Sequence, residues 1–398
     1  MNREGDAASC PANAFRMLIN TRTDDSEIWS RGGQSSINPD DVLDGCIGGV
    51  FPPEFEPPDQ AFTRLLIAER GVGVQDTYLF APNEDDEVTS LSNGFLGQNV
   101  GLYWSGQRLL ALRYTDSDGT DGYVEEYRVD VSSGTTQLAE MSPPAGIDLT
   151  WEGTVGGVVL AGNEHYLSRY DSTADPSEDI RLERIAFGSS DFEFVEEETA
   201  ASSGVSAAVP ALFVTAAVDG RVIWLSKSTS VAELSIRSTA DGTYTTVTFP
   251  TGFAPIDDSI HAWAWHAGKL YIGGVLSGTI AIAAYDPVAN TISTVRTIAS
   301  TATTHCPMAV HKGVLYFAYG LAAGAERVGM LRKGVWTDSI AAFSAPADIY
   351  DLCSFQDHLY MTKAEFLLRC SDPSSDPTFE VFYTSETEFD LGAMVAVP

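Results

Sequence analysis

The chain has 398 residues, 44% of them hydrophobic and 10% aromatic, with 35 glycines and 19 prolines, so it can bury a large core and is heavily punctuated by turns. Lys and Arg number 23 against 55 Asp and Glu, a formal net charge of −32; such a surface repels phosphate backbones and argues against tight gripping of DNA or RNA. No apolar run of about 18 residues occurs and MNREGDAASC has no apolar heart, so neither a transmembrane helix nor a secretion signal is expected.

The acidity reads as solubility or a salty habitat, or else as a passage past which DNA slides without sticking. Five cysteines (Cys10, Cys46, Cys306, Cys353, Cys370) make an odd number without CxxC spacing, which fits a reducing place of synthesis rather than a disulfide framework or a zinc site. The chain also lacks an N-x-[ST] sequon.

Residues 1–60 differ in character from the rest of the chain. They hold NPDDVLDGCIGG and the proline-rich FPPEFEPPD and read as an extended arm joined to a linker. Within them FRMLI leads to an acidic turn and then IWSRGG.

From Ala61 to the end the chain repeats. Aligned on Tyr271 of KLYI, the matching positions are Leu66, Leu110, Tyr166, Ile223, Tyr316 and Tyr360, at intervals of 44, 56, 57, 48, 45 and 44 residues, the period of four-stranded propeller blades. The clearest unit is His261–Ser300. It divides into AWAWH, KLYIGGV, TIAIAAY and TISTVRTI at Ala267-Gly268, Ser277-Gly278 and Asp286-Pro287 with Asn290. Inner strands are expected at GLYWS, GGVVLA, LFVTAAV, AWAWH, PMAVH and DLCSF, and EEETAASSG (196–204) as a surface loop.

Blade one has no inner strand ahead of Phe62, whereas GAMVAVP at 392–398 is an apolar strand with no blade of its own. Met394, Val395 and Val397 are therefore expected to close the ring, removing edges that would invite aggregation. The expected fold is all-β: a seven-bladed β-propeller, residues 61–398, closed by its C-terminal strand and preceded by the arm. A sandwich or solenoid also has many short strands but does not explain seven copies and a spare terminal strand.

Residues able to carry chemistry are scattered. His266 and His311 share a column, a possible metal or polar gate, but two ligands fall short of a metal site, and they read as structural. The others are His165, His261, His305 and His358. Asp116, Asp118 and Asp121 lie on a short turn without the full calcium-loop spacing, so an acidic hairpin is the plainer reading. There is no G-x-S-x-G, and GVVLAG continues with Asn163-Glu164 where a phosphate loop needs Lys and Ser or Thr. Carboxylates at Glu125-Glu126, Glu196–Glu198 and Asp257-Asp258 single out no glycosidase pair among 55. Trp104, Trp224, Trp263, Trp265, Tyr271, Tyr316 and Tyr360 read as blade packing, with sugar stacking as the other possibility. No catalytic residue, metal or cofactor is assigned.

YIGG (271–274) resembles the strand ending of kelch repeats, in this blade alone. The arm FRMLINTRTDDSEIWSRGG, with irregular blades after it, resembles virion propeller proteins of tailed bacteriophages, in which an extended segment ends in an Arg-Pro-Gly-like turn; here the turn is Arg31-Gly32-Gly33, without the proline. The resemblance implies a non-enzymatic tail nozzle, hub or adaptor component, made in the host cytoplasm and found in the virion. Its partners would be copies of itself in a ring and other virion proteins, with no membrane and no tight nucleic-acid binding, though DNA could pass nearby. Phe15, Leu18, Ile28, Trp29 and Arg31 are the assembly residues expected of the arm. The alternatives are a carbohydrate- or host-receptor-binding propeller and a propeller glycoside hydrolase.

Overall fold

The computed structural model describes three short strands within residues 21–37 and the strands of residues 62–397, with most of their connections from residue 220 onward. The early strands, Thr21–Asp24, Glu27–Ser30 and Ser36–Ile37, form an antiparallel sheet of their own. Seven further antiparallel sheets make a β-propeller. From the innermost strand outward, blade two holds Gln98–Trp104, Leu109–Tyr114, Gly122–Asp130 and Gly134–Met141. Blade three holds Val158–Ala161, Glu164–Tyr170, Ile180–Phe187 and Phe192–Thr199; blade four holds Val214–Ala216, Arg221–Lys227, Ala232–Ser238 and Tyr244–Thr248. Blade five holds Trp263–His266, Lys269–Leu276, Thr279–Asp286 and Thr291–Thr301. Blade six runs Met308–His311, Val314–Leu321, Ala325–Arg332 and Val335–Ser344, and blade seven Ile349–Phe355, His358–Lys363, Phe366–Cys370 and Glu380–Thr384. Blade one takes its innermost strand, Asp390–Val397, from the far end of the chain and continues with Arg64–Arg70, Val74–Phe80 and Val88–Leu96.

Tight turns set the registers. Ala267-Gly268, Ser277-Gly278, Lys312-Gly313 and Lys333-Gly334 have positive φ at both residues, the type I′ geometry whose twist matches that of the strands it joins. Asn290, with φ 50°, closes the longer turn after Asp286, whose carboxylate accepts hydrogen bonds from the amides of Val288 and Ala289.

Alternation along each strand divides its side chains between two neighbours. Ala281, Ala283 and Tyr285 pack toward blade four with Ile223, Leu234 and Trp265, while Ile280, Ile282 and Ala284 pack toward blade six with Met308, Leu315 and Phe317. Leu65 and Ile67 likewise face blade seven and Leu66 and Ala68 face blade two. The core is thus a ring of blade-to-blade layers, and each large apolar side chain sealed in one contributes about 1.5–3 kcal/mol.

Two details depart from the expected plan. The strand Phe192–Thr199 takes in Glu196–Thr199, where the sequence suggests a loop; on an outermost strand glutamates can face water while the backbone stays paired. Blade five has an additional piece, Phe253–Pro255, which pairs with Gly274–Leu276 on the edge that Trp263–His266 also uses, so its innermost strand comes in two segments.

Candidate functional site

The break in that strand produces the main polar feature of the ring. Ile256 donates its amide to Gly273 O (3.1 Å) and Gly273 donates to Ala262 O (2.7 Å), so the chain leaves the sheet edge at 256 and rejoins it at 262. On its return it lies against blade six, where Met308 N donates to His261 O at 2.7 Å. The His261 side chain reaches further, its Nδ1 standing 2.7 Å from Asp351 Oδ1 on the innermost strand of blade seven.

Asp351 is 0% exposed, so its charge needs several donors. The same Oδ1 accepts from Leu352 N (2.8 Å), and Oδ2 accepts from Met394 N (2.8 Å) on the closing strand. That strand shifts register between Leu391 and Met394, taking the intervening backbone out of the regular ladder. Blade seven supplies the partners: Asp351 for the Met394 amide, and Thr362 Oγ1, which donates to Gly392 O at 2.8 Å. A bulge at the point of closure is therefore held by two side chains of the neighbouring blade.

The His261 ring also meets Tyr103 of blade two edge-on, centroids 6.3 Å apart and planes at 77°. Blades two and five are not neighbours in the ring of seven, so this contact joins blades that share no packed layer. His261 thereby touches blades six, seven and two, and Asp351 extends the chain of contacts to blade one. Burial works against a charge on His261, but the Asp351 carboxylate outweighs it and holds the imidazole pKa above its ordinary value. Nearby, Tyr350 donates to Asp390 Oδ2 (2.9 Å) and meets His305 edge-on at 5.2 Å.

The residues singled out from sequence are mostly placed elsewhere. His266 and His311 do share a column, each ending an innermost strand opposite Lys269 and Val314. His311 Nδ1 lies 2.9 Å from Ser354 Oγ, its buried Nε2 has no hydrogen-bond partner among the described residues, and burial above all pushes its pKa down to about 4. Among the described residues no group of three or more His, Cys, Asp or Glu could hold a metal ion. The Cys306 thiol is pushed by burial up to about 12 and that of Cys353 is also raised, so neither is an activated nucleophile. Trp224, Trp265, Tyr271, Tyr316 and Tyr360 are buried between blades, and Trp265 Nε1 donates to Thr215 Oγ1 (3.0 Å) to tie blade five to blade four.

Ile28 and Trp29 lie on the strand Glu27–Ser30, whereas Phe15, Leu18, Arg31, Asp116, Asp118, Asp121, Asp257 and Asp258 fall outside the described residues. On the closing strand Met394 and Val397 are each 2% exposed and Val395 is half-buried.

Sequence reasoning missed the pairing of Asp351 with His261. One signal was present: where blades two, five and six have Gly101, Ala262 and Pro307 at the corresponding place, blade seven has a carboxylate. A charge in a column of small uncharged residues requires partners.

No protein-family model matches the chain, and no curated protein matches it. Solved structures resemble it in fold. A proposed 6-phosphogluconolactonase from Bacteroides fragilis is 11% identical, with a TM-score of 0.58 over 84% of this chain and 98% of that one. A protein from Lactobacillus plantarum is 14% identical, with a TM-score of 0.57 over 83% and 98%. The β-propeller domain of the trilobed protease from Pyrococcus furiosus is 8% identical, with a TM-score of 0.47 over 82% and 94%. At such identities the likeness shows a shared fold alone.

Proposed function

We propose that this chain is a non-enzymatic structural component of a tailed-phage virion, set in the tail or its junction, where it assembles as a ring with copies of itself and other virion proteins. The observation that carries the non-enzymatic part is how the buried carboxylate Asp351 is used. Asp351 spends its oxygens on Leu352 N, Met394 N and His261, so it holds strands together rather than facing a reactant. The virion part rests on the resemblance of the arm and its irregular blades. The small sheet within residues 21–37, which among the described residues pairs with no strand of the seven blades, suits a segment that reaches a neighbour. A net charge of −32, which repels phosphate backbones, suits a part past which DNA travels.

Native mass spectrometry with negative-stain imaging tests the reading. The full chain is expected to form rings, and a chain lacking residues 1–55 to remain a folded monomer. A monomeric full chain, or truncated protein that forms the same rings, would overturn it.

A further inference from the structure

We infer that the His261–Asp351 pair is a pH-sensitive latch on ring closure, holding the C-terminal strand most tightly in mildly acidic solution and loosening as pH rises. Three elements converge on the one carboxylate. The closing strand has no turn linking it to the rest of blade one and is held there by strand pairing and side-chain packing, because hundreds of residues separate it from Arg64–Arg70 in the chain. At its bulge, where that pairing shifts, the Met394 amide depends on Asp351 Oδ2. The other oxygen of the same carboxylate faces His261 Nδ1. Whatever changes the charge beside Asp351 therefore acts on the strand that closes the ring.

Among the described residues, three blades present groups to His261. Blade seven presents Asp351, blade two presents Tyr103, and blade six meets its carbonyl with the backbone amide of Met308. Tyr350, beside Asp351 in sequence, bonds Asp390 and packs against His305 instead. Among the described residues, Asp351 is thus the ionisable group hydrogen-bonded to the imidazole.

Linkage between proton binding and folding fixes the direction. A histidine whose folded pKa is raised above its unfolded value of about 6.5 contributes stability that is complete below that value and is lost as pH climbs through the folded pKa. Losing the proton does not break the contact, since a neutral imidazole can still donate from Nδ1. It does remove the attraction between imidazolium and carboxylate, leaving a hydrogen bond from a neutral donor where an ion pair stood. Among the described residues, the donors then left to the buried carboxylate are neutral.

Hydrogen exchange on the full chain tests this, with amides of the blade-five strand Thr279–Asp286 as an internal reference that cancels the intrinsic pH dependence of exchange. Between about pH 6 and about pH 9, protection of the Asp390–Val397 amides relative to that reference should fall in the wild type, with a ceiling of about tenfold per pH unit for release of one proton. In His261→Gln, which keeps a donor but cannot titrate, the ratio should stay flat. Parallel profiles in wild type and variant would overturn the latch. So would a wild type whose two strands loosen in step, because the pH response would then be global rather than seated at closure.

Discussion

Gly274 shows how one residue can report on an element that is hard to read from sequence. A Cβ there would stand 2.4 Å from Phe253 Cζ and 2.6 Å from the Ala254 carbonyl oxygen, and one at Gly273 would stand 2.8 Å from both Cβ and Sγ of Cys306. Phe253 cannot retreat freely, because its ring stacks on Phe249 at 5.1 Å in the layer between blades four and five. Gly274→Ala is accordingly expected to cost about 1–3 kcal/mol through overpacking, read as a melting temperature lower by a few degrees. Gly278→Ala serves as the comparison, since its Cβ would meet nothing within 4 Å and only its φ of +83° would resist. If Gly274→Ala melted with the wild type, close packing at Gly274 would not be what requires glycine there. The double glycine is visible in the sequence as YIGG, but its cause is not. The segment it accommodates, Phe253-Ala254-Pro255, is three residues long and ends in proline, so it carries neither the length nor the alternation by which strands are recognised.

The closing strand is the opposite case, legible because its composition had no other use. GAMVAVP is apolar, sits after the last complete blade, and matches a vacancy in the first. In the fold its side chains serve two layers: Met394 joins Leu65, Ile67 and Phe355 between blades seven and one, and Val397 joins Leu66, Leu102 and Leu109 between blades one and two. Removing Gly392–Pro398 would open both layers, leave Arg64–Arg70 as a bare edge, and strip Asp351 of the Met394 amide. At about 1.5–3 kcal/mol for each large apolar side chain lost, the truncated chain is expected to aggregate or to melt far below the full chain. An unchanged melting curve would show that the ring does not depend on this strand. The contacts that fasten it were not legible in the same way. His261 and Asp351 lie 90 residues apart, and an aspartate that is one of 55 acidic residues gives no sign of its partner.

At the scale of the whole molecule, histidines with displaced pKa values fall into two groups that act on opposite sides of neutrality. His266, His311 and His358 are all shifted down, each chiefly because burial penalises the charged ring; for His311 the charges of Lys312 and His358 add to it. A histidine kept neutral in the fold binds its proton more readily when unfolded, so between the unfolded value of about 6.5 and lower folded values stability must decline as pH falls. His261 is shifted the other way, and its contribution is lost as pH rises above about 6.5. Together they place the most stable pH near the unfolded histidine value. The large excess of carboxylates hardly alters this over the upper part of the acid limb, because ordinary Asp and Glu titrate near pH 4 and are still about nine-tenths ionised at roughly pH 5.3. Calorimetry in steps from about pH 5 to about pH 6.5 should therefore show the melting temperature rising in the wild type. His311→Gln, which can still bond Ser354 but cannot titrate, should flatten much of that slope. A wild-type curve already flat there, or a variant with the full slope, would mean that buried imidazoles do not set the acid side of this propeller's stability.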